Sequence, residues 1–275
     1  MSKISSGVFL DKEDSYVKNF KKGHGKVYKS EKAFTLNGER LPKGEMGVVH
    51  GYFPVNELKQ ASKKHGVTIN QYLVGTFVYA AYKEYMREQP SKIPFRCCVP
   101  VNLRPYYDSH TMKNFFAMVF ATFQPEKESY TFEEVLEIVA ENLKEQITPE
   151  NLNNIMSYNV SNEKNWILRA VPLVIKNFVM KQVYGASAKA TSATVTNIGN
   201  IELKEPYQKY VEHFYVTLSM SKGQNMKGGI CSYNGILTFT FSSVLVDLSI
   251  QKRFFQTIAK DGVAVAVESN GAYYG

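Results

Sequence analysis

The Asn234-Gly235 dipeptide is the feature that most limits how this chain can fold. It separates two strand-like runs, NMKGGICSY and ILTFTFSSV, by only two residues, and Asn-Gly is the strongest two-residue signal for an antiparallel hairpin. Two more strand-like runs, ATSATVTNIGN and HFYVTLSMS, come shortly before this hairpin, and the earlier strand-like and helical runs intermix without strict alternation. Paired strands late in such a chain predict an α/β fold, a two-layer sandwich with a mixed sheet, and argue against a doubly wound dinucleotide fold.

Capping residues and apolar residues at three- and four-residue steps mark the helical segments. Thr68 is predicted to begin a long helix, and Thr131 with Glu134 fits a capping box for a helix over 132–146. Asp247 is predicted to cap a closing helix. Residues 149–183 are predicted to be helical, with a core face made of Trp166, Leu168, Val171, Leu173, Val174, Phe178 and Val179.

The predicted organisation is an arm, one lobe and a tail. Residues 1–46 are polar, basic and punctuated by glycine, with little sustained periodicity, and are interpreted as an extended basic arm or linker. Residues 47–262 contain the predicted strands and most of the apolar stripes, so they are expected to form the globular lobe. Residues 263–275 are interpreted as a loose tail.

Composition and charge narrow the class of protein. With 44% hydrophobic residues the chain can bury a substantial core, so we expect a folded protein. A net charge of +8 permits nucleic acid, an anionic membrane or a phosphorylated small molecule as partner and selects none of them. The 275 residues contain no signal-peptide pattern and no run of 18 apolar residues. We therefore expect a cytoplasmic protein without a membrane span.

The cysteines and histidines do not form a recognisable site. Three cysteines make no disulfide framework, and none of the five histidines has a metal-pair spacing, so no metal site is expected. Cys97 and Cys98 lie in an apolar strand-like run and are interpreted as buried, unreactive thiols. His65 precedes a glycine at a helix end and is interpreted as a cap, and His50 and His213 as structural residues.

Five short segments occur in a fixed order over roughly residues 47–260. They are GVTINQYLVGTF, VPVNLRP, KNFF, SATVTNIG and NGILTFTF. In this order they resemble the second half of the chloramphenicol acetyltransferase-like superfamily, which includes condensation domains of peptide synthetases, wax-ester synthases and the alcohol-acetyltransferase-like group. Two arm segments, EDSYVKNF and LPKGEMGVV, also resemble the linker between the two halves in the last of these groups.

The resemblance implies one half of a two-lobed, CoA-dependent acyltransferase with a tunnel between its α/β lobes. In such enzymes the first lobe carries a His-His-x-x-x-Asp motif, whose second histidine is the general base for attack of an alcohol or amine on an acyl thioester. The implied co-substrate is a coenzyme A thioester or an acyl group on the phosphopantetheine of a carrier, and no bound cofactor is expected. The motif's aspartate usually pairs with an arginine, which by resemblance is Arg104 here.

The sequence departs from this pattern at the catalytic motif, since it contains no His-His pair and no H-x-x-x-D. We therefore expect the C-terminal lobe only, whose partner is a base-bearing N-terminal lobe on a separate or missing polypeptide. No catalytic residue is assigned to this chain, and alone it is expected to be inactive. Its half of the tunnel wall is expected to be an exposed apolar patch that favours self-association.

The resemblance also assigns residues to the tunnel and its support. Strand alternation places Thr194 and Thr196 on one face with Ser192, where they are expected to line the substrate tunnel and donate to an oxyanion. The alternative is that these threonines only suit a strand. The residues expected to support the site are Asn197 and Gly199, which would shape the turn after the strand, and Asn102 and Asn114, which are interpreted as buried hydrogen-bonding residues beside Arg104.

Two other functions remain open from the sequence. The same fold can serve as a non-catalytic module that binds an acyl group or pantetheine. A third reading is a basic α/β protein that binds single-stranded nucleic acid through the arm, where aromatic and basic residues alternate. Against it, the arm's aromatic residues can instead dock on the body of the protein; they are Tyr16, Phe20, Tyr28 and Phe34. We expect acyl-CoA or an acyl carrier as partner and no nucleic acid.

Overall fold

The computed structural model describes residues 14–20, 31–164 and 172–273. Its strands are β1 (Gly47–Pro54), β2 (Phe95–Asn102), β3 (Phe116–Phe123), β4 (Ala193–Asn200), β5 (Met226–Tyr233), β6 (Ile236–Ser243) and β7 (Ala266–Ser269). Its helices are α1 (Ser15–Lys18), α2 (Val55–Lys64), α3 (Ile69–Glu84), α4 (Phe132–Gln146), α5 (Pro149–Lys164), α6 (Leu173–Lys189), α7 (Glu205–Gln208) and α8 (Ser249–Lys260).

The strands form one seven-stranded sheet in the order β3-β2-β4-β5-β6-β1-β7. β4 pairs in parallel with β2 and with β5, whereas β6 and β7 both pair with β1 in antiparallel fashion. The sheet is therefore mixed, and the predicted α/β fold class is confirmed. By contacts the chain divides into two compact units, one made of 1–30, 100–119 and 144–186 and the other of 31–99, 120–143 and 187–275.

The hairpin between β5 and β6 has the geometry that its turn residues predict. β5 and β6 pair antiparallel with Tyr233 opposite Ile236, leaving two residues in the turn. Asn234 has φ +47° and Gly235 φ +76°, the left-handed conformation that a type I′ turn needs at both positions. Asparagine and glycine adopt this conformation at low cost, so the sequence fixes the strand register at this end of the sheet.

Two predicted helix starts are confirmed in detail. Thr68 accepts a hydrogen bond from Gln71 N at 3.2 Å, and the Gln71 side chain accepts one from Thr68 N at 2.9 Å, so α3 begins with a capping box. Thr131 and Glu134 make the same reciprocal pair at the start of α4, at 3.2 and 2.8 Å. The third prediction differs in detail: Leu248 is the N-cap of α8, and Asp247, one residue earlier, accepts from Ser249 N.

The core of the larger unit lies on the face of the sheet that packs against α3 and α8. Phe239 and Phe241 on β6 contact Phe254 on α8, with ring centroids 4.5 and 5.1 Å apart, and all three are fully buried. β1 approaches α8 closely at Gly51, where a Cβ would lie 2.2 Å from the Phe255 ring. Helices thus cover one face of the sheet with apolar side chains. A segment before β5 crosses the opposite face, where Leu218 N donates to Ser242 Oγ at 3.1 Å and Lys227 Nζ donates to Ser219 O at 2.9 Å.

The strand predicted over HFYVTLSMS is wrong. Residues 213–220 have exposed and half-buried side chains in alternation but form no ladder, and Ser221 makes only an isolated bridge with Gln224. The segment instead crosses one face of the sheet, where the Val216 carbonyl oxygen comes so close to Gly229 that a Cβ there would lie 2.2 Å away. The alternation that predicted a strand is real, but it reflects packing on the face of the sheet and not pairing at an edge.

The core face predicted over 149–183 is also wrong where the structure describes it. Leu173, Val174, Phe178 and Val179 are 70%, 82%, 65% and 50% exposed. Three other members, Trp166, Leu168 and Val171, lie outside the described residues. The α6 sequence has apolar residues on all sides, so it has no single stripe that could identify a buried face.

The C-terminal residues contain a strand where a tail was expected. β7 pairs antiparallel with β1, from Val49 opposite Ser269 to Tyr52 opposite Ala266. Asn270 then extends the contact with β1, since its side chain accepts from Val48 N at 3.0 Å and donates to Met46 O at 2.9 Å. A four-residue edge strand of this kind carries too weak a pattern to be distinguished from a loop in the sequence.

Candidate functional site

The sheet face opposite α3 and α8 is lined by polar side chains. Directly paired residues share a face, so the strand register identifies its members. From β4 to β7 they are Thr194, Thr196, Lys227, Cys231, Thr238, Thr240, Ser242, His50, Tyr52 and Glu268. We call this set the polar face. A core-forming sheet face is normally apolar, so a face with hydroxyls, a histidine and a lysine is a candidate site.

Thr194 and Thr196 lie on the polar face as the strand alternation predicts. Both side chains are half-buried, whereas Val195 between them is fully buried on the opposite face. The Thr194 hydroxyl donates to Gln224 Oε1 at 2.7 Å. Gln224 is a site residue that the sequence analysis missed, because it lies in an irregular segment before β5 and has no motif around it.

Ser192 has a different environment from the two threonines. Its side chain is fully buried, and its hydroxyl oxygen accepts a hydrogen bond from Arg96 N at 2.9 Å. In return Ser192 N donates to Arg96 O at 2.9 Å. Ser192 therefore joins the start of β4 to β2 and has no access to a substrate in this structure.

Asn197 and Gly199 form the turn-like end of β4. Asn197 Oδ1 accepts from Gly199 N at 2.8 Å, and Gly199 has φ +86°, a value that L side chains rarely adopt. The β4–β5 register is irregular between Asn197 and Asn200. The side chain of Asn197 also reaches Asn70 at the start of α3, with 3.5 Å between Nδ2 and Oδ1.

In the smaller unit, Arg104 binds the backbone of its own loop. Its guanidinium donates twice to Thr111 O, at 3.0 and 3.2 Å, once to Lys113 O at 2.7 Å and once to Asn102 Oδ1 at 3.2 Å. This planar set of donors holds residues 102–113 as a closed loop. Asn102 and Asn114 are exposed, which contradicts their interpretation as buried residues, although Asn102 does accept from Arg104 as a supporting residue would.

His50 is the histidine of the polar face. Its Nδ1 lies 2.9 Å from Thr240 Oγ1, and its ring lies against Tyr215 of the crossing segment with centroids 4.3 Å apart. Burial lowers the pKa of His50, and the nearby Glu268 carboxylate raises it by less. Glu268 is itself held by the Tyr52 hydroxyl at 2.8 Å. His50 is therefore a neutral residue covered by a tyrosine ring, which agrees with a structural role.

The lowered pKa of His50 predicts a loss of stability in mild acid. Histidine in the unfolded chain binds a proton near pH 6.5, whereas burial disfavours protonation of His50 in the folded protein. The free energy of unfolding should therefore fall as the pH drops below 6.5, by at most about 1.4 kcal/mol per pH unit. We expect His50→Gln to lose less stability than the wild type between pH 7.5 and 5.5 in urea unfolding. Equal losses in the two proteins would contradict this.

Cys98 lies next to Thr194 in the strand register and is buried, as predicted. Burial raises the pKa of the Cys98 thiol to about 11, although Arg96 and Lys227 lower it in part. Burial likewise raises the pKa of Cys97. Both thiols are therefore protonated at neutral pH and are poor nucleophiles, as the sequence interpretation has it.

Tyr16 of the arm is docked within the smaller unit. The Tyr16 hydroxyl donates to Phe116 O at 2.7 Å and accepts from Phe116 N at 3.0 Å, and its ring packs edge-on against Phe115 at 4.9 Å. An aromatic ring held in this way is not free to stack on a base. Tyr28 lies outside the described residues.

Residues 14–20, 31–164 and 172–273 contain neither a cluster of metal ligands nor a membrane-spanning helix. No three side chains of histidine, cysteine, aspartate or glutamate come together there as metal ligands. Within the same ranges, no helix has both the length and the hydropathy to cross a bilayer.

Comparisons with known proteins give matches in structure only: no protein-family profile and no curated protein sequence matches the chain. It is similar to the AMPPNP-bound nonribosomal peptide synthetase FmoA3, with a TM-score of 0.56 and 16% identity over 84% of this chain and 23% of that one. It is also similar to the cyclization-docking bidomain of the synthetase EpoB from Sorangium cellulosum, with a TM-score of 0.50 and 12% identity over 84% of this chain and 44% of that one.

This chain therefore spans less than half of the length of each of these two solved proteins. At these identities the likeness establishes the fold and leaves the activity open. The chain thus shares its mixed α/β fold with parts of these two peptide synthetases, which confirms the fold expected from the five segments.

Proposed function

We propose that this chain is the C-terminal lobe of an acyltransferase that moves an acyl group from a coenzyme A or carrier thioester to an alcohol or amine. The observation that carries the proposal is the placement of Thr194. Its hydroxyl lies half-buried on the polar face of a sheet whose fold is that of a condensation-domain lobe. A hydroxyl in such a place can donate to the oxyanion that forms when a thioester carbonyl is attacked.

The proposed reaction needs a general base from another lobe. Of the four histidines among the described residues, His50 is buried beneath Tyr215, His65 is held by Asp261 at 2.9 Å, and His110 and His213 are exposed. His213 stacks on Tyr52 of the polar face with ring centroids 4.8 Å apart, but it belongs to no H-x-x-x-D motif. A partner lobe with a His-His-x-x-x-Asp motif would supply the imidazole that removes the proton from the attacking hydroxyl or amine.

Arg104 is the proposed contact to that motif. Its guanidinium is already fixed by three loop carbonyl contacts and by Asn102, so little side-chain entropy would be lost on binding a carboxylate. The side chain is exposed and has no carboxylate partner among the described residues. We propose that the motif's aspartate pairs with it and that the loop over 102–113 thereby supports the partner's histidine.

The exposed residues of α6 support the presence of a partner. Eight large apolar side chains on this helix are at least half exposed, which is unusual for the surface of a monomer. They are Leu173, Val174, Ile175, Phe178, Val179, Met180, Val183 and Tyr184. We propose that the base-bearing lobe covers α6 and that, without it, the same surface drives self-association.

An acyl-transfer assay tests the proposal directly. The chain is incubated with acetyl-CoA or an acyl carrier and a panel of alcohols and amines, with and without a lobe that carries the His-His-x-x-x-Asp motif. We expect turnover only when both lobes are present, and we expect Arg104→Lys to lower it, because lysine cannot reproduce the planar set of donors. Equal turnover with and without the partner lobe would overturn the proposal.

The same assay distinguishes the proposed acyltransferase from the alternative, a non-catalytic module that binds an acyl group or pantetheine. If acyl-CoA or pantetheine binds in equilibrium dialysis but no lobe pairing gives turnover, the fold serves binding alone. In this structure Thr194 is bonded to Gln224, an arrangement that is also compatible with a purely binding surface.

A further inference from the structure

One segment of the chain covers the middle of the polar face. It comprises residues 213–221 and is called the crossing segment below. His213 stacks on Tyr52 with ring centroids 4.8 Å apart, and Tyr215 stacks on His50 at 4.3 Å. Since Tyr52 and His50 both project from β1 onto the polar face, the crossing segment lies on the side of the sheet opposite the aromatic core.

Side chains of the sheet hold the backbone of the crossing segment. Lys227 Nζ donates to Ser219 O at 2.9 Å, and the Cys231 thiol donates to Phe214 O at 3.2 Å. These hydrogen bonds take the place of a ladder, which residues 213–220 do not form with the described strands. A segment held by isolated contacts can separate from the sheet without breaking cooperative strand pairs.

The floor beneath the crossing segment is polar. Thr238, Thr240 and Ser242 of β6 are buried on this face, whereas Phe239 and Phe241 of the same strand are buried in the core. Apolar residues would suit a permanent cover better, because burial of apolar surface drives packing and burial of hydroxyls does not. Hydroxyls can be hydrated when they are exposed, so uncovering this face costs less than uncovering the aromatic core.

The crossing segment ends in a tight turn that precedes β5. Gln224 N donates to Ser221 O at 3.0 Å, and Gly223 has φ +84°, a conformation that other residues rarely adopt. The next residue, Asn225, is fixed, since its buried side chain donates to Leu36 O at 2.7 Å. Gln224 is therefore the last residue that can move with the crossing segment, and the turn over 221–224 can serve as its hinge.

We infer that the crossing segment is a lid over the candidate acyl-transfer site, which lifts about this hinge, uncovers the hydroxyls of β6 and releases Thr194 from Gln224. In the closed arrangement Gln224 Oε1 accepts the Thr194 hydroxyl at 2.7 Å, so the proposed oxyanion donor is already occupied. The closed lid is therefore an autoinhibitory contact. Its effect on catalysis rests on the proposed function, whereas the opening of the lid does not.

Two buried cysteines report the opening without any assay of acyl transfer. Cys231 lies beneath the crossing segment, whereas Cys97 is buried on the opposite face beside Ala193. The full chain is exposed to dithiodipyridine under native conditions, and initial labelling rates at each cysteine are read by tandem mass spectrometry and divided by those of the urea-unfolded chain. We expect Cys231 to react at least about tenfold faster than Cys97, which needs global unfolding to react. Equal rates would overturn the inference, because the segment would then leave only when the whole protein unfolds.

Tyr215→Ala removes the ring that lies on His50 and should raise the Cys231 rate by about threefold to tenfold, with no change at Cys97. The matched control is Tyr210→Ala, since Tyr210 precedes the crossing segment and is 76% exposed; it should change neither rate. A Cys231 rate that is the same in Tyr215→Ala and the wild type would contradict the lid.

Thr194→Val tests the link between the lid and Thr194. Thr194 lies on β4, outside the crossing segment, but valine removes the hydrogen bond to Gln224 at the hinge. The Cys231 rate should therefore rise by about threefold to tenfold in Thr194→Val and stay unchanged in Thr194→Ser, which keeps the hydroxyl. An unchanged Cys231 rate in Thr194→Val would overturn the link. Since the readout is thiol labelling, the lid can fail this test while the proposed acyl transfer stands, and the reverse.

Discussion

Phe254→Ala is expected to lower the free energy of unfolding by about 3–5 kcal/mol. The Phe254 ring is fully buried and packs against Phe239, Phe241 and Phe255, with centroids 4.5, 5.1 and 5.5 Å away. These rings fill the space between β6 and α8, and neighbours held by two secondary-structure elements cannot collapse into the cavity that alanine leaves. Urea unfolding monitored by circular dichroism, with comparison of midpoints and slopes, measures the loss.

Phe178→Ala is the matched control, since it makes the same change on helix α6, where the ring is 65% exposed. It should change the free energy of unfolding by less than about 0.5 kcal/mol. It should also reduce self-association in light scattering, because it removes part of the exposed apolar surface of α6. A loss as large as that of Phe254→Ala would mean that α6 is buried against other parts of the chain and that the proposed partner surface does not exist.

Local interactions explain which parts of the fold were predictable. The Asn234-Gly235 turn and the capping boxes of Thr68 and Thr131 involve residues at most three positions apart, so their geometry follows from the sequence alone. The alternation that places Thr194 on the face opposite Val195 is equally local.

Contacts between distant residues explain what the sequence did not reveal. Whether residues 213–221 pair at an edge or cross the face of the sheet depends on the close approach to Gly229. The exposure of Phe178 depends on what packs against α6, which the periodicity of its own helix does not encode. Gln224 binds Thr194 across 30 positions, a contact that no local pattern in the sequence reveals.

Thr194→Val tests the proposed chemistry in the assembled two-lobe enzyme. Valine keeps the shape and the strand preference of threonine but cannot donate a hydrogen bond. If the Thr194 hydroxyl turns from Gln224 to the developing oxyanion, its loss should lower kcat by about 10²–10³-fold, the effect of removing one oxyanion donor, with little change in KM for the thioester. Steady-state rates of acyl transfer over a range of thioester concentrations separate the two parameters.

Thr194→Ser is the control, because it keeps the hydroxyl and loses only a methyl group; it should retain kcat within about tenfold of the wild type. Gln224→Leu should have a smaller effect than Thr194→Val, since Gln224 positions the hydroxyl and does not itself contact the oxyanion. If Thr194→Val and Thr194→Ser lower kcat equally, the hydroxyl has no special part in the reaction, and Thr194 is only a packing residue of β4. A fall in the affinity for thioester with unchanged kcat would point to a binding surface without a catalytic contribution.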